Sequence, residues 1–219
     1  MKEMIAIVGG LLVSHAAHGE LLARDLDGDS NTIEAYYDDV LDVTWLADAN
    51  YAQTSGHSVD GLMDWDEAVA WVGGLTLGGF TAWRLPDTTQ PDGGCDTQSG
   101  NFSFGYHCNA SEMGSLFYDT LSNGVGSLSN AGPFGNVIPD VYWSATEYVS
   151  ATTNSWFFNF AGGYQYISLK SSLNYAWVVH SGDVGAEVST SSDVPIASAP
   201  GWLVLAALSS LTAMRQLRR

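Results

Sequence analysis

The sequence predicts an α+β fold: two helices packed on a mainly antiparallel sheet of short strands. Three observations carry that expectation. Short runs of β-branched and aromatic residues come first, two amphipathic stretches with capping residues follow, and from Val141 the pattern returns to strands. At 219 residues the chain suits one domain with a full core. Its 46% hydrophobic and 12% aromatic content excludes a disordered protein despite a net charge of −17.

The elements follow in order. In "TIEAYYDDVLDVTWLAD", Val43 and Trp45 alternate with Asp42 and Thr44, which predicts strands near 33–37 and 41–46. "MDWDEAVAWVGGL" predicts a helix, with Asp64 as N-cap, Glu67 completing a capping box, and Trp65, Ala68, Val69 and Val72 as its apolar stripe. Gly73-Gly74 weakens its end. "GGCDTQSGNFSFGYHCN" is rich in Gly, Ser and Asn and predicts a surface loop. "SEMGSLFYDTLSNG" predicts a second helix, capped by Ser111, that buries Met113, Leu116, Phe117 and Leu121. "VYWSATEY", "SWFFNF", "YQYISLK" and "YAWVVHS" predict strands, with Ala161-Gly162-Gly163 forming a tight hairpin. No internal repeat occurs.

Both ends read as addresses. "MKEMIAIVGGLLVSHAAHGE" has Lys2, an apolar run and small residues before position 19, as in a secretory signal cut after Ala17 or Gly19, although Glu3 weakens the basic leader. The domain is expected over 20–186 and a Ser/Thr/Ala-rich linker over 187–200. A sorting signal begins near 194, with an apolar run and basic tail over 201–219. The run Gly201–Met214 ends in Arg215, Arg218 and Arg219, the pattern of a transmembrane helix with a cytoplasmic stop. At about 14 residues the run is short for a bilayer span. The layout resembles PEP-CTERM sorting tails, which an exosortase-like processing enzyme recognises, although Val-Pro-Ile stands at 194–196 where that class has Val-Pro-Glu-Pro.

Export sets the expectation for cysteine. Cys95 and Cys108 are the only two, and in an oxidising compartment they are expected to form a disulfide. Zinc would need further ligands; His107 is adjacent, but no second histidine stands at ligand spacing. The acidic balance excludes the usual electrostatic route to nucleic acid and argues against anionic membranes. Membrane contact is expected only through the C-terminal segment. Of 24 Asp and Glu, all but Glu3 and Glu20 lie between Asp25 and Asp193, where the only Lys or Arg residues are Arg84 and Lys170.

"YYDDVLDVTWLADANYAQTSG", "GLMDWDEAVAWVGGL", "GGFTAWRLP", "SEMGSLFY", "YWSATEY" and "YAWVVHSGDVG" together resemble the Lcl C-terminal-domain family of secreted bacterial domains, over about residues 25–186. More distantly, "DWDEAVAWV" and "WRLP" resemble the C-type-lectin-like fold, which includes formylglycine-generating enzymes. The resemblance implies a C-type-lectin-like domain with a disulfide-closed loop insertion, at the cell surface or in an extracellular matrix, with carbohydrate binding in some members. Formylglycine-generating activity does not carry over, because that activity needs cysteines near the final strands. In the resembling fold Arg84 lies where helices meet sheet, so its guanidinium is expected to form a structural ion pair, with Glu112 or Asp183 as partner.

Candidate sites are few. Trp156, Tyr164 and Tyr166, with Lys170, are candidates for one glycan-binding face, since sugar C–H faces stack on aromatic rings; core packing is the plainer reading for Trp156. Asp25, Asp27, Asp29 and Asn31 alternate as in a Ca²⁺ loop, but Ser30 stands where Gly is expected and Tyr36 where the bidentate Glu belongs. A solvated acidic turn is the alternative. No nucleophile elbow, phosphate-cradling glycine motif or histidine pair appears, so the expectation is a non-enzymatic domain. The leading expectation is an exported domain that binds extracellular polysaccharide; the alternatives are a structural surface or biofilm-matrix component without a ligand and, last, a glycan-processing enzyme acting through a carboxylate pair.

Overall fold

Among the described residues two five-stranded antiparallel sheets, rather than one, carry the fold. The computed structural model describes residues 19–187. The first sheet has the order β10-β1-β2-β3-β9. It contains β1 (Leu21–Asp25), β2 (Ala35–Asp38), β3 (Val43–Leu46), β9 (Val179–Ser181) and β10 (Ala186–Glu187). Asp38 shapes the β2–β3 turn, its Oδ1 accepting from the N–H groups of Val40 and Leu41, both at 3.1 Å. The late strands close the sheet: Trp45 pairs with Val179, and Arg24 with Glu187. β10 therefore reaches one residue past the expected domain end at 186.

The second sheet has the order β4-β5-β8-β7-β6. It contains β4 (Thr97–Ser99), β5 (Phe102–Tyr106), β6 (Val141–Glu147), β7 (Asn154–Asn159) and β8 (Tyr164–Leu169). β4 and β5 form a hairpin inside the stretch expected to be a loop, and β5 pairs with β8 through Gly105↔Gln165 and Tyr106↔Tyr164. The β7–β8 turn is the expected one: Gly163 takes φ +78°, and Asn159 Oδ1 accepts from Gly162 N–H at 3.0 Å.

β6 and β7 are covered on both faces, which explains their unbroken aromatic runs. Trp143 and Phe157 join one core cluster with Met63, Trp65 and Trp83; Tyr142 and Phe158 join the other with Trp45, Phe117 and Trp177. Successive side chains on a strand point to opposite faces, so each strand serves both clusters.

Among the described residues three α-helices accompany the sheets: α1 (Tyr51–Thr54), α2 (Trp65–Gly73) and α3 (Glu112–Ser115), the last continuing as a wider π-type turn over Leu116–Thr120. Asp64 caps α2, accepting from Glu67 N–H at 2.9 Å. Glu67 does not return the bond; its carboxylate faces His57 at 3.4 Å. Trp65, Ala68 and Val72 are buried as the stripe predicts, but Val69, expected in that stripe, is exposed. Trp65 Nε1 donates to Ser144 O at 2.8 Å, and Trp143 Nε1 donates to Met63 O at 3.0 Å, lashing the start of α2 to β6.

Met113, Leu116, Phe117 and Leu121 are buried as the helical stripe predicts. Ser111 makes no capping bond; its Oγ instead accepts from Thr89 N–H at 3.1 Å, tying α3 to the preceding loop. Gly114 is required by close approach, since a Cβ there would lie 1.7 Å from Cys108 O.

Among the described residues no helix is long and apolar enough to cross a membrane. The signal over 1–19 (save its last residue), the rest of the 187–200 linker and the apolar run with its basic tail lie outside the described residues.

Candidate functional site

Alternation along β8 puts Tyr164 and Tyr166 on one face, and the adjoining β5 brings its own aromatic row against them. Tyr106 meets Tyr164 edge-on at 5.8 Å between ring centroids, and Phe104 meets Tyr166 at 5.2 Å. Phe102 lies 4.8 Å from Tyr148 and 6.4 Å from Trp156. A shallow cavity of about 80 Å³ opens among Ser99, Phe102, Phe104, Tyr148, Trp156 and Tyr166. Tyr166 is 46% exposed and Tyr106 37%, whereas Trp156, at 2%, offers at most an edge.

Of the four aromatic-face candidates, the structure thus brings Trp156 and Tyr166 to one cavity. Tyr164 is half-buried against the core and against Phe157, and is an anchor more than a contact. Lys170 is elsewhere. Its Nζ sits 3.9 Å over the Trp65 ring and 2.6 Å from Glu147 Oε1, and its side chain is only 16% exposed. Lys170, expected on the glycan-binding face, is instead engaged by a largely desolvated cation–π contact with the first residue of α2.

Lys170→Met should therefore lower stability by about 1 kcal/mol through loss of the cation–π and ion-pair contacts. Denaturant melts check this, and Glu147→Gln should cost less than half as much because that carboxylate is 43% exposed and the cation–π contact survives the change.

Sequence reasoning missed Phe102, Phe104 and Tyr106. The signal was present: these aromatics recur at every second position in "NFSFGY", a strand period masked by the flanking Gly, Ser and Asn. The hairpin is held at its neck by the Cys95–Cys108 disulfide, both cysteines buried. Beside it, the buried carboxylate of Asp92 accepts from the N–H groups of Gly94 and Ala110, each at 2.9 Å. Asp92, Cys95 and Cys108 cluster tightly, but the disulfide removes both thiolates as metal ligands.

Arg84 forms a fork with Glu112, Nη1 to Oε2 at 2.7 Å and Nη2 to Oε1 at 2.6 Å. Its Nε donates to Ser181 Oγ at 3.0 Å, and its backbone exchanges two bonds with Val179. Asp183 is not its partner. That carboxylate belongs to Arg24, which is 3% exposed and donates from Nε at 2.6 Å and Nη2 at 2.9 Å. Arg24 lies one residue outside the cation-poor stretch, in β1, which directly follows the signal-like leader.

The proposed Ca²⁺ loop is not assembled in its predicted form. Asp25, Asp27 and Glu34 bring carboxylate oxygens within 4.8 Å of one another. Asp29 stays apart from that cluster, bound by the Asn31 side-chain amide and backbone N–H, which hold its carboxyl below the usual range. Asp25 Oδ1 accepts from the N–H groups of Asp27 and Gly28, and Asp27 Oδ1 from Asp29 N–H, so the segment folds as successive Asx turns.

Residues 34–180 match the model of the Lcl C-terminal domain, and the chain belongs to that family. Membership points to an exported or surface domain. No curated protein and no solved structure shows significant similarity to the chain.

Proposed function

We propose that this is an exported, non-enzymatic module that binds neutral polysaccharide through the aromatic face of its second sheet. The carrying observation is the half-exposed Tyr166 ring, held edge-on by Phe104 above a cavity floored by aromatic side chains. Rings fixed in this way lose little rotational freedom on binding, and their faces match the C–H faces of sugars while nearby hydroxyls serve the polar edges. The paired sheets and the Arg-Leu-Pro block support a C-type-lectin-like architecture as the frame.

Calcium has a secondary place in this proposal. Every cation among the described residues engages a protein carboxylate, so an anionic polymer would need a divalent ion to bridge it to the acidic surface. The C-terminal signal, through an exosortase-like enzyme, would place the module in the envelope or matrix.

A glycan array run with and without Ca²⁺, at low and high salt, tests the assignment. Neutral glycans should bind in chelator with little salt dependence, and anionic ones only with Ca²⁺. An array without hits would favour a purely structural matrix component.

A further inference from the structure

A larger cavity, about 480 Å³, opens on the first sheet. It lies where β1 and β3 end, between α1 and the loop 76–78. Its apolar lining comes from Leu26, Ile33, Leu46 and Leu77. Gly78 closes it against the chain: a Cβ there would lie 1.7 Å from Leu26 O. The Tyr51 ring forms a wall and is itself stacked on Trp71 with centroids 6.4 Å apart.

Asp27, Glu34 and Asp48 also line this cavity, and no Lys, Arg or His does. Each carboxylate engages one backbone N–H: Asp48 that of Asn50 at 2.9 Å, Asp27 that of Asp29 at 2.9 Å, and Glu34 that of Leu26 at 3.1 Å. None of the three is in an ion pair, whereas Arg24, Arg84 and Lys170 are held by Asp183, Glu112 and Glu147. Among the described residues, therefore, no lysine or arginine neutralises these carboxylates.

We propose that this cavity binds an organic ammonium ion carrying an apolar body. Three carboxylates favour the cation, an aromatic wall favours it further, and the aliphatic lining takes the hydrocarbon part. A bare metal ion would leave the apolar walls unused, a neutral sugar would leave the charge unmatched, and an anion would be repelled. The site lies on the first sheet and involves none of the aromatic face of the second.

The test is calorimetric titration of the full chain with 2-phenylethylammonium chloride and, in parallel, with neutral 2-phenylethanol. The ammonium should bind about tenfold more tightly or better, lose about tenfold in Asp48→Asn, and weaken as salt rises. Its binding should shift the amide resonances of Ala47, Thr76 and Gly78. Glu34→Gln is the second variant should Asp48→Asn fail to fold; melting temperatures are measured first. Equal binding of the alcohol, no binding of the ammonium, or undiminished affinity in the folded variants would overturn the proposal. Displacement of the ammonium by an equal concentration of CaCl₂ would assign the carboxylates to a metal and overturn it too.

Discussion

Arg84→Met is expected to destabilise the domain by about 3 kcal/mol, a melting shift of roughly 10 °C. The guanidinium is 25% exposed and Glu112 15%, so both charges are largely out of water and each depends on the other. Methionine fills the volume but leaves Glu112 with only the Asp87 N–H, at 2.7 Å, as a strong donor. Arg84→Lys should recover part of the loss. An ammonium keeps the charge but cannot hold Glu112, Ser181 Oγ and the Leu85 carbonyl together as the planar fork does. Loss of Lys170, whose partner Glu147 is 43% exposed, should cost less than either change at Arg84. Chemical melts of the three variants give the order, and equal midpoints would remove the structural role assigned to Arg84.

Cys95→Ser combined with Cys108→Ser should cost about 3 kcal/mol, the chain-entropy value for a loop of about 14 residues. The effect should be local in character. Asp92 and the β5–β8 pairing still hold the hairpin, so the domain folds, but Phe102 and Phe104 lose their rigid mount. Hydrogen exchange should rise in β4 and β5 before it rises in β6 or β7. A uniform loss of protection would mean that the disulfide braces the whole fold.

Periodicity located what is locally encoded. Alternation around Val43 and Trp45 and runs of β-forming residues located β2, β3 and β6 to β8, and the buried face of the helical stretch from Ser111 is the predicted one. The failures share a cause: long-range pairing decided them. β1 follows directly on a signal-like leader, and its partners are Ala35, 11 residues away, and Glu187, at the far end of the domain. The β4–β5 hairpin has polar turn composition and is a strand pair only because β8 offers an edge. A single predicted sheet became two because nothing local distinguishes β3, beside β9, from β6, beside β7. The aromatic face shows the same limit. Tyr166 was accessible to strand alternation, but its neighbour Phe104 comes from a segment read as loop. Arg84 was recognisable by rarity alone, whereas its partner needed the fold to choose Glu112 over Asp183.

The aromatic face is tested most directly by one comparison. The affinity of wild type and Tyr166→Ala for a neutral glycan identified on the array is measured alongside their melting temperatures. An exposed ring contributes to a complex and little to the core. Affinity should therefore fall about tenfold or more while the melting temperature stays within about 2 °C. A folded Tyr166→Ala protein that binds the glycan as tightly as wild type would contradict the assignment.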